Sequence, residues 1–143
     1  LLREKRLDRL VTINNPLDIN PAADDETHGA IVGILCEDSG VDAVVVGLDP
    51  LSPAMHTLQD TDVPAFAMEE PDGIITLLSD VLSQSRIPVV AVVDGGRLFD
   101  PFRDALLARG IPVFEVCDRA VASLSLYIES RLYIDSIRAG LTQ

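Results

Sequence analysis

Three short apolar runs, separated by helical patterns, constrain this chain more than any other feature. They occupy residues 42–48, 88–93 and 111–116 and are rich in valine. Near-continuous apolar strands are typical of a parallel sheet buried on both faces, and strands that alternate with helices favour βαβ units. Weaker strand patterns lie at residues 17–19 and 65–68. We therefore predict a three-layer α/β/α domain with a mainly parallel sheet of four or five strands.

The intervening segments carry helix-start and helix-stop signals. Acidic residues at the start of an apolar stripe cap helices well, and proline favours the first helical turn. These signals predict four helices that begin at Asp24 or Asp25, Asp72, Asp100 (followed by Pro101) and Asp118. Gly110 and Gly140 are expected to end the third and fourth helices. The first helix should bury Ile31, Ile34 and Leu35 on one face.

Composition excludes several classes of function. The formal net charge is −12, with 11 basic and 23 acidic residues. Nucleic-acid binding and an anionic membrane surface are therefore disfavoured, since both need clustered Lys and Arg, and only residues 3–9 show any clustering. No apolar run approaches the roughly 20 residues of a membrane span, and no signal peptide is visible, so we expect a cytoplasmic protein.

The two cysteines do not suggest a metal or redox site. Cys36 and Cys117 lie far apart in the sequence and form no CxxC pair. Metal-binding and redox cysteines usually occur as closely spaced pairs. We therefore predict that both are small core residues in apolar surroundings.

The loop after the first strong strand is one candidate site. In an α/β sheet, ligands and partners meet the carboxyl ends of the strands. If a helix begins in this loop, its first N–H groups would form an anion site, whereas an ordinary turn is the alternative. The candidate residues are Gly47, Asp49, Pro50, Leu51, Ser52, Pro53 and Ala54.

A second loop follows the next strand. Gly95 and Gly96 let the backbone approach a phosphate or another chain closely, although a tight turn explains them as well. They are flanked by Asp94 and by the cation of Arg97, and no known phosphate-loop motif is present. Asn15 precedes a weak first strand and Asp18 lies at its end, where Asp18 either caps a turn or binds across a domain interface.

The two histidines have no catalytic context in the sequence. No other histidine or cysteine lies at a metal-ligand spacing from His28, and no Ser/His/Asp or Cys/His triad can be argued. His28 lies beside an apolar helix stripe, so we expect a satisfied or edge-exposed imidazole there. We expect His56 to be exposed at the surface, although its place after the proline loop also puts it near the possible anion site.

The motifs, taken in order, resemble the second flavodoxin-like domain of NDP-forming acyl-CoA synthetases, the succinyl-CoA and acetyl-CoA synthetase superfamily. The resemblance covers about residues 15–132 and depends on an ordered set of individually weak motifs. These are NPLDI (15–19), GVDAVVV (40–46), IPVVAVVDGG (87–96), GIPVF (110–114) and DRAV (118–121). It implies a flavodoxin-like domain over residues 15–140, preceded by a helix or linker from another domain over residues 1–14.

The resemblance also implies a function. Such enzymes join an acid to CoA with a nucleoside triphosphate, through an acyl phosphate and a phosphohistidine carried by the other flavodoxin-like domain. The second domain supplies a helix N-terminus that helps to hold the phosphohistidine. By position, residues 47–54 and the following helix are the matching element. This sequence departs from the family pattern between His56 and Glu70, which leaves open whether a helix at Leu51 or at Asp72 faces the phosphate.

Partners and cofactors follow from the same resemblance. CoA, the nucleotide and Mg²⁺ are expected in the full enzyme, and none is expected to be bound by this domain alone. The expected partners are a CoA-binding Rossmann domain and an ATP-grasp domain, and a homo-oligomer is a further option. We predict that the isolated chain catalyses nothing and that neither His28 nor His56 becomes phosphorylated. The alternative is a non-catalytic interaction or regulatory module of a CoA-linked fusion protein, such as a protein acetyltransferase.

Overall fold

The computed structural model describes residues 1–5, 13–20, 22–59, 61–68 and 70–141. Within them, strands and helices alternate along the chain. Two short 3₁₀ turns, Pro64–Phe66 and Arg97–Phe99, lie in the connections. The helices and strands are α1 (Asp25–Glu37), β1 (Val44–Leu48), α2 (Ile74–Gln84), β2 (Val89–Val93), α3 (Asp100–Ala108), β3 (Val113–Phe114) and α4 (Cys117–Leu141).

The three strong apolar runs form one parallel sheet in the order β1-β2-β3. The register pairs Val44 with Val89 and Leu48 with Val93, so β1 and β2 run side by side over their whole length. β3 is short and joins β2 through Val113 and Phe114. The α/β class and the parallel pairing predicted from the sequence are confirmed.

The prediction of four or five strands is wrong for the described residues, which contain three. Residues 17–19 form no strand. They lie between two prolines of the sequence, Pro16 and Pro21, and a proline cannot donate to a strand ladder. Residues 65–68 also form no strand. Pro64 starts a 3₁₀ turn there, and only one isolated bridge forms, between Leu58 and Ala67.

Helices cover both faces of this sheet. The larger core lies between the sheet and helices α1, α2 and α3, and is centred on fully buried residues such as Leu78, Phe102 and Leu106. The smaller core lies on the other face, where Ala120 and Leu124 of α4 pack against Val90 and Val92 of β2. Even so, the helices leave β1 partly uncovered, because Val45 keeps 38% of its surface exposed.

α1 begins as the sequence predicts, with Asp24 as its cap. The Asp24 carboxylate accepts hydrogen bonds from Thr27 N (2.9 Å) and Thr27 Oγ1 (2.5 Å). Partial burial raises the pKa of Asp24, but these bonds and the nearby Lys5 charge outweigh it and lower the pKa below its ordinary value of 3.8. Ile31 is buried as expected, whereas Ile34 is 55% exposed, contrary to the prediction.

The other helix boundaries differ in detail. α2 is capped by Gly73 rather than Asp72, with no side-chain hydrogen bond at its cap. Asp100 lies inside the first turn of α3, where it pairs with an arginine instead of capping the helix. Gly110, at φ 78°, follows the end of α3 as predicted. α4 continues through Gly140 to Leu141, so the predicted stop is wrong.

The predicted core position of Cys117 is also wrong, whereas Cys36 packs against the larger core. Cys117 is exposed at the start of α4, and Cys36 on α1 is only partly buried. α4 covers the sheet with residues one and two turns further along, Ala120 and Leu124, so the first turn extends past the packed region.

Candidate functional site

The two candidate loops touch at the carboxyl ends of β1 and β2. A β-carbon built on Gly95 would lie 2.6 Å from Cγ of Pro50 and 2.8 Å from Cδ2 of Phe99. Only a glycine fits such a close approach, because a real β-carbon essentially never comes within 3.0 Å of a nonbonded heavy atom of a more distant residue. Gly95 is therefore the residue that lets the second loop pack against the first.

The first loop satisfies its own polar groups. The Asp49 carboxylate accepts a hydrogen bond from Leu51 N (3.0 Å), and Asp49 O accepts one from Ser52 N (3.1 Å). Further along, Ser52 Oγ accepts from Ala54 N (3.3 Å), and Ser52 O accepts from Met55 N (3.2 Å). These N–H groups are engaged inside the loop, so they do not form an open cradle for an anion.

No helix begins at Leu51. The next α-helix along the chain is α2 at Ile74, after a long connection over residues 49–73 whose described part contains the turn Pro64–Phe66 and the isolated bridge between Leu58 and Ala67. Of the two helices that the sequence left open, only the later one therefore exists. Its first residues are shielded, because Gly73, Ile74 and Ile75 are all buried.

The second loop is held by a buried arginine. Arg103 is 7% exposed and donates to Val93 O (3.0 Å) and Gly96 O (2.8 Å). Its guanidinium also pairs with the Asp100 carboxylate one turn earlier on α3. A planar guanidinium with several donors suits this arrangement of two carbonyls and a carboxylate. Gly96 completes the turn at φ 60°, a backbone conformation that favours glycine.

The surface formed by these loops combines exposed apolar side chains with exposed charges, among them the carboxylates of Asp49 and Asp94. Leu51 is 73% exposed in the first loop and Leu98 is 71% exposed in the second. Val116, 43% exposed, follows β3 at the same edge of the sheet. Arg97 is also exposed there and supplies a cation. We call Leu51, Arg97, Leu98 and Val116 the strand-end face.

A histidine–aspartate pair ties the first loop to α1. Nδ1 of His56 lies 2.5 Å from Oδ2 of Asp25, and the same oxygen accepts a hydrogen bond from His56 N (3.1 Å). The Asp25 side chain is 3% exposed and the His56 side chain 25%, so the predicted surface histidine is largely buried. The other carboxylate oxygen, Oδ1 of Asp25, has no hydrogen-bond partner among the described residues.

The remaining predicted site residues are Asp94, which belongs to the second loop itself, and Asn15 and Asp18. The hydrogen bonds and ion pairs of the described residues connect neither Asn15 nor Asp18, both exposed, to the two loops. Asp94 is exposed directly after β2. His28 is buried, with Nδ1 3.0 Å from Asp24 O, which confirms the expected satisfied imidazole.

Sequence reasoning missed Arg103, Asp25 and the environment of His56. Arg103 carries one local signal, a carboxylate three residues earlier in the first turn of a helix, although that spacing usually marks a solvated pair. Asp25 and His56 are 31 positions apart. No local pattern could bring them together, because the intervening β1 and its loop determine their contact.

Comparison with protein-family models, with curated proteins and with solved structures finds no match for this chain. Across the described residues, no group of three or more His, Cys, Asp or Glu side chains could hold a metal ion. In the same residues, no helix is both long and apolar enough to cross a membrane.

Proposed function

We propose that this chain is a domain of an NDP-forming acyl-CoA synthetase and that its strand-end face docks the segment of another domain that carries the phosphohistidine. The full enzyme would use CoA, a nucleoside triphosphate and Mg²⁺, in the cytoplasm, with CoA-binding and ATP-grasp domains as partners. The ordered motifs from residue 15 to residue 132 suggest the family. The observation that carries the docking role is the contact between the loops, which brings Leu51 and Leu98 to one edge as exposed apolar side chains.

The chemistry of the face suits a protein segment better than a free anion. Exposed leucines gain free energy when another surface covers them, by roughly 25 cal/mol for each Å² of apolar area. Arg97 adds a donor that can pair with a phosphoryl group once the partner has docked. Because the chain carries a net charge of −12, a free phosphate is repelled at long range. The site is therefore expected to require the partner domain.

The N–H groups of the first loop already donate hydrogen bonds within the loop, so other groups would have to hold the phosphate. The resemblance implies a helix N-terminus for this task, yet no helix starts at Leu51 and the start of α2 is buried. We therefore assign to this chain an apolar docking role, with Arg97 as its contribution of positive charge.

The test uses the complete gene product and two aspartates. The double variant carries Leu51→Asp and Leu98→Asp. Because both leucines are exposed, the fold should tolerate the change, while the apolar contact with the partner segment is lost. We expect phosphoryl transfer from labelled ATP to histidine, detected under alkaline conditions that preserve phosphohistidine, to slow by about tenfold, because two interface residues are lost. The matched control is Leu107→Asp, which is 53% exposed on α3, away from the face.

The outcomes separate the two parts of the proposal. If the unmodified product forms no phosphohistidine and no acyl-CoA, the synthetase assignment is wrong. If it does form them and the double aspartate variant transfers phosphate as fast as the Leu107→Asp control, the docking assignment is wrong.

The second candidate is a non-catalytic interaction module within a CoA-linked fusion protein such as a protein acetyltransferase. The absence of a helix start at Leu51 favours it, since a phosphate-holding element is then missing from the first loop. This candidate predicts that the complete product binds its partner through the same leucines without any phosphohistidine.

A further inference from the structure

The second half of α4 extends beyond the body of the domain. The last residue of α4 that packs against the sheet is Ile128, which is partly buried. Every residue from Glu129 to Leu141 is exposed, and we call this segment the exposed half of α4. At 1.5 Å per residue it is about 18 Å long. A helix of this length without packing partners is only marginally stable in water, so the segment should gain from a contact.

α4 has a second apolar side, apart from the side that packs on the sheet. Ala120, Leu124 and Ile128 face the sheet. With 3.6 residues per turn, a different set of large apolar residues falls within about 120° on a neighbouring side of the helix. These residues, which we call the outer stripe, are between 41% and 81% exposed. The outer stripe consists of Leu126, Tyr127, Tyr133, Ile134, Ile137 and Leu141.

The outer stripe has the composition of a protein–protein interface. Both tyrosines of the chain, Tyr127 and Tyr133, belong to it, and tyrosine is enriched where proteins contact each other. The polar residue in its middle is Ser130, whose hydroxyl donates to Leu126 O (2.8 Å) within the same helix. Covering the stripe would therefore leave this hydroxyl satisfied, and the small side chain leaves a hollow that a partner side chain can fill.

The charges of this segment favour a second copy of the chain as the occupant. Two copies repel each other at long range, because each carries a net charge of −12. In the exposed half of α4, however, two acidic residues (Glu129 and Asp135) balance two basic ones (Arg131 and Arg138), and all four lie outside the outer stripe. A strongly charged partner finds no matching charge here, whereas two copies can meet here with less repulsion than at an acidic surface.

The apolar area is sufficient for a weak dimer. A fully exposed aromatic side chain offers about 150–250 Å², and an aliphatic one about 100 Å². At their observed exposures, the six side chains of the outer stripe together offer roughly 500 Å² per copy, or roughly 1,000 Å² for a pair. A specific interface needs at least about 1,000 Å², so a pair of outer stripes reaches the lower limit.

We propose that the outer stripe of one copy of this chain packs against the outer stripe of a second copy about a two-fold axis. Because both copies use the same surface, the assembly closes at two chains. Leu126, Ser130, Tyr133 and Ile137 recur at intervals of four, three and four residues, which is the spacing by which paired helices interlock their side chains. The outer stripe is separate from the strand-end face, and the inference does not depend on the proposed function.

Two double variants of the full chain test this contact. The first, Tyr133→Glu with Ile137→Glu, places two charges in the outer stripe. The matched control, Val121→Glu with Leu132→Glu, adds the same charge to exposed residues on the other side of α4, which are 50% and 65% exposed. By sedimentation velocity we expect the unmodified chain and the control to self-associate as their concentration rises. The stripe variant should dissociate at least tenfold more readily, because two buried interface side chains are lost.

Amide hydrogen exchange gives a second measurement that does not depend on the variants. In the unmodified chain, the amides of residues 129–141 should exchange more slowly at high than at low protein concentration, since pairing stabilises a helix that is marginal alone. An unmodified chain that stays monomeric at its highest soluble concentration would overturn the inference, and so would exchange that is independent of concentration. The inference also fails if the stripe variant and the control associate equally.

Discussion

The loops that follow β1 and β2 meet at one edge of the sheet, yet they are held in place differently. The first loop is supported by several contacts of similar weight. These include its internal hydrogen bonds, the bond from Thr57 Oγ1 to Pro50 O (2.9 Å), and the His56–Asp25 pair. The second loop depends on Gly95, Gly96 and one buried side chain, Arg103.

The difference indicates where single substitutions will have large effects. Support that is divided among many hydrogen bonds loses little when one is removed, since each net contribution is about 1 kcal/mol. Support concentrated in one residue is lost all at once. We therefore expect the second loop to be the more sensitive part of the strand-end face, and a series of variants in the two loops can test this.

The largest effect is expected at Gly95. Gly95→Val should lower the free energy of unfolding by about 3 kcal/mol, because its side chain overlaps Pro50 and Phe99. Gly96→Ala should cost about 2 kcal/mol through backbone strain alone, since the space around Gly96 is open. Gly47→Ala is the matched control in β1. It has open space and no positive φ, so it should be neutral or slightly stabilising in urea denaturation. Equal costs at Gly47 and Gly95 would contradict the packing described.

The next largest effect is expected at Arg103. Arg103→Met keeps most of the side-chain length but leaves Val93 O, Gly96 O and Asp100 without their donor. We expect a loss of about 2 kcal/mol and faster amide exchange across residues 94–97. Arg109→Met, an exposed arginine at the end of α3, serves as the control and should change stability little. Unchanged exchange at residues 94–97 would show that Arg103 does not hold this loop.

A smaller effect is expected at His56. His56→Ala removes one of the two hydrogen bonds to Oδ2 of Asp25, while the bond from the backbone N remains. The unfolding free energy should fall by about 1 kcal/mol. Combining it with Asp25→Asn in a double-mutant cycle should reveal a coupling between the two sites. Strict additivity would mean that the pair contributes nothing to the first loop.

The last effect, similar in size to that at His56 but outside both loops, concerns the cap of α1 and depends on pH. Asp24→Ala should cost about 1 kcal/mol at neutral pH. The pKa of Asp24 is lower in the folded state, so its contribution is present above the ordinary value of 3.8 and is lost as the pH falls through the folded pKa. The difference in stability between variant and parent should therefore shrink in acid, and a difference that is constant with pH would argue against this cap.

The sequence predicts strands β1 and β2 better than it predicts the connections between the elements. Long runs of valine identify β1 and β2 because a strand buried on both faces has few alternatives. The apolar run at residues 65–68 predicts a strand, but Pro64 starts a 3₁₀ turn there instead. The connection over residues 49–73 is longer than strand-to-helix loops usually are. The sequence predicts only where it ends, because α2 begins at Ile74, two residues after the predicted start at Asp72.

The sequence predicts where the two candidate loops lie, but not which of their polar groups are already hydrogen-bonded. The rule that ligands and partners meet the carboxyl ends of strands identified both loops. The helix start that an anion site in the first loop would need does not form, and four N–H groups of this loop bond to Asp49 and Ser52 instead. The buried position of Arg103 depends on how α3 packs against β2, which only the assembled fold determines.

The most direct test of the docking role is hydrogen exchange in the complete gene product, measured with and without ATP. If the strand-end face receives the phosphohistidine segment, amides in residues 49–54 and 94–99 should exchange more slowly once the histidine is phosphorylated. The exposed half of α4 should be unaffected by ATP and serves as the internal control. Equal exchange at both loops in the two states, in a product shown to carry phosphohistidine, would contradict the proposed docking.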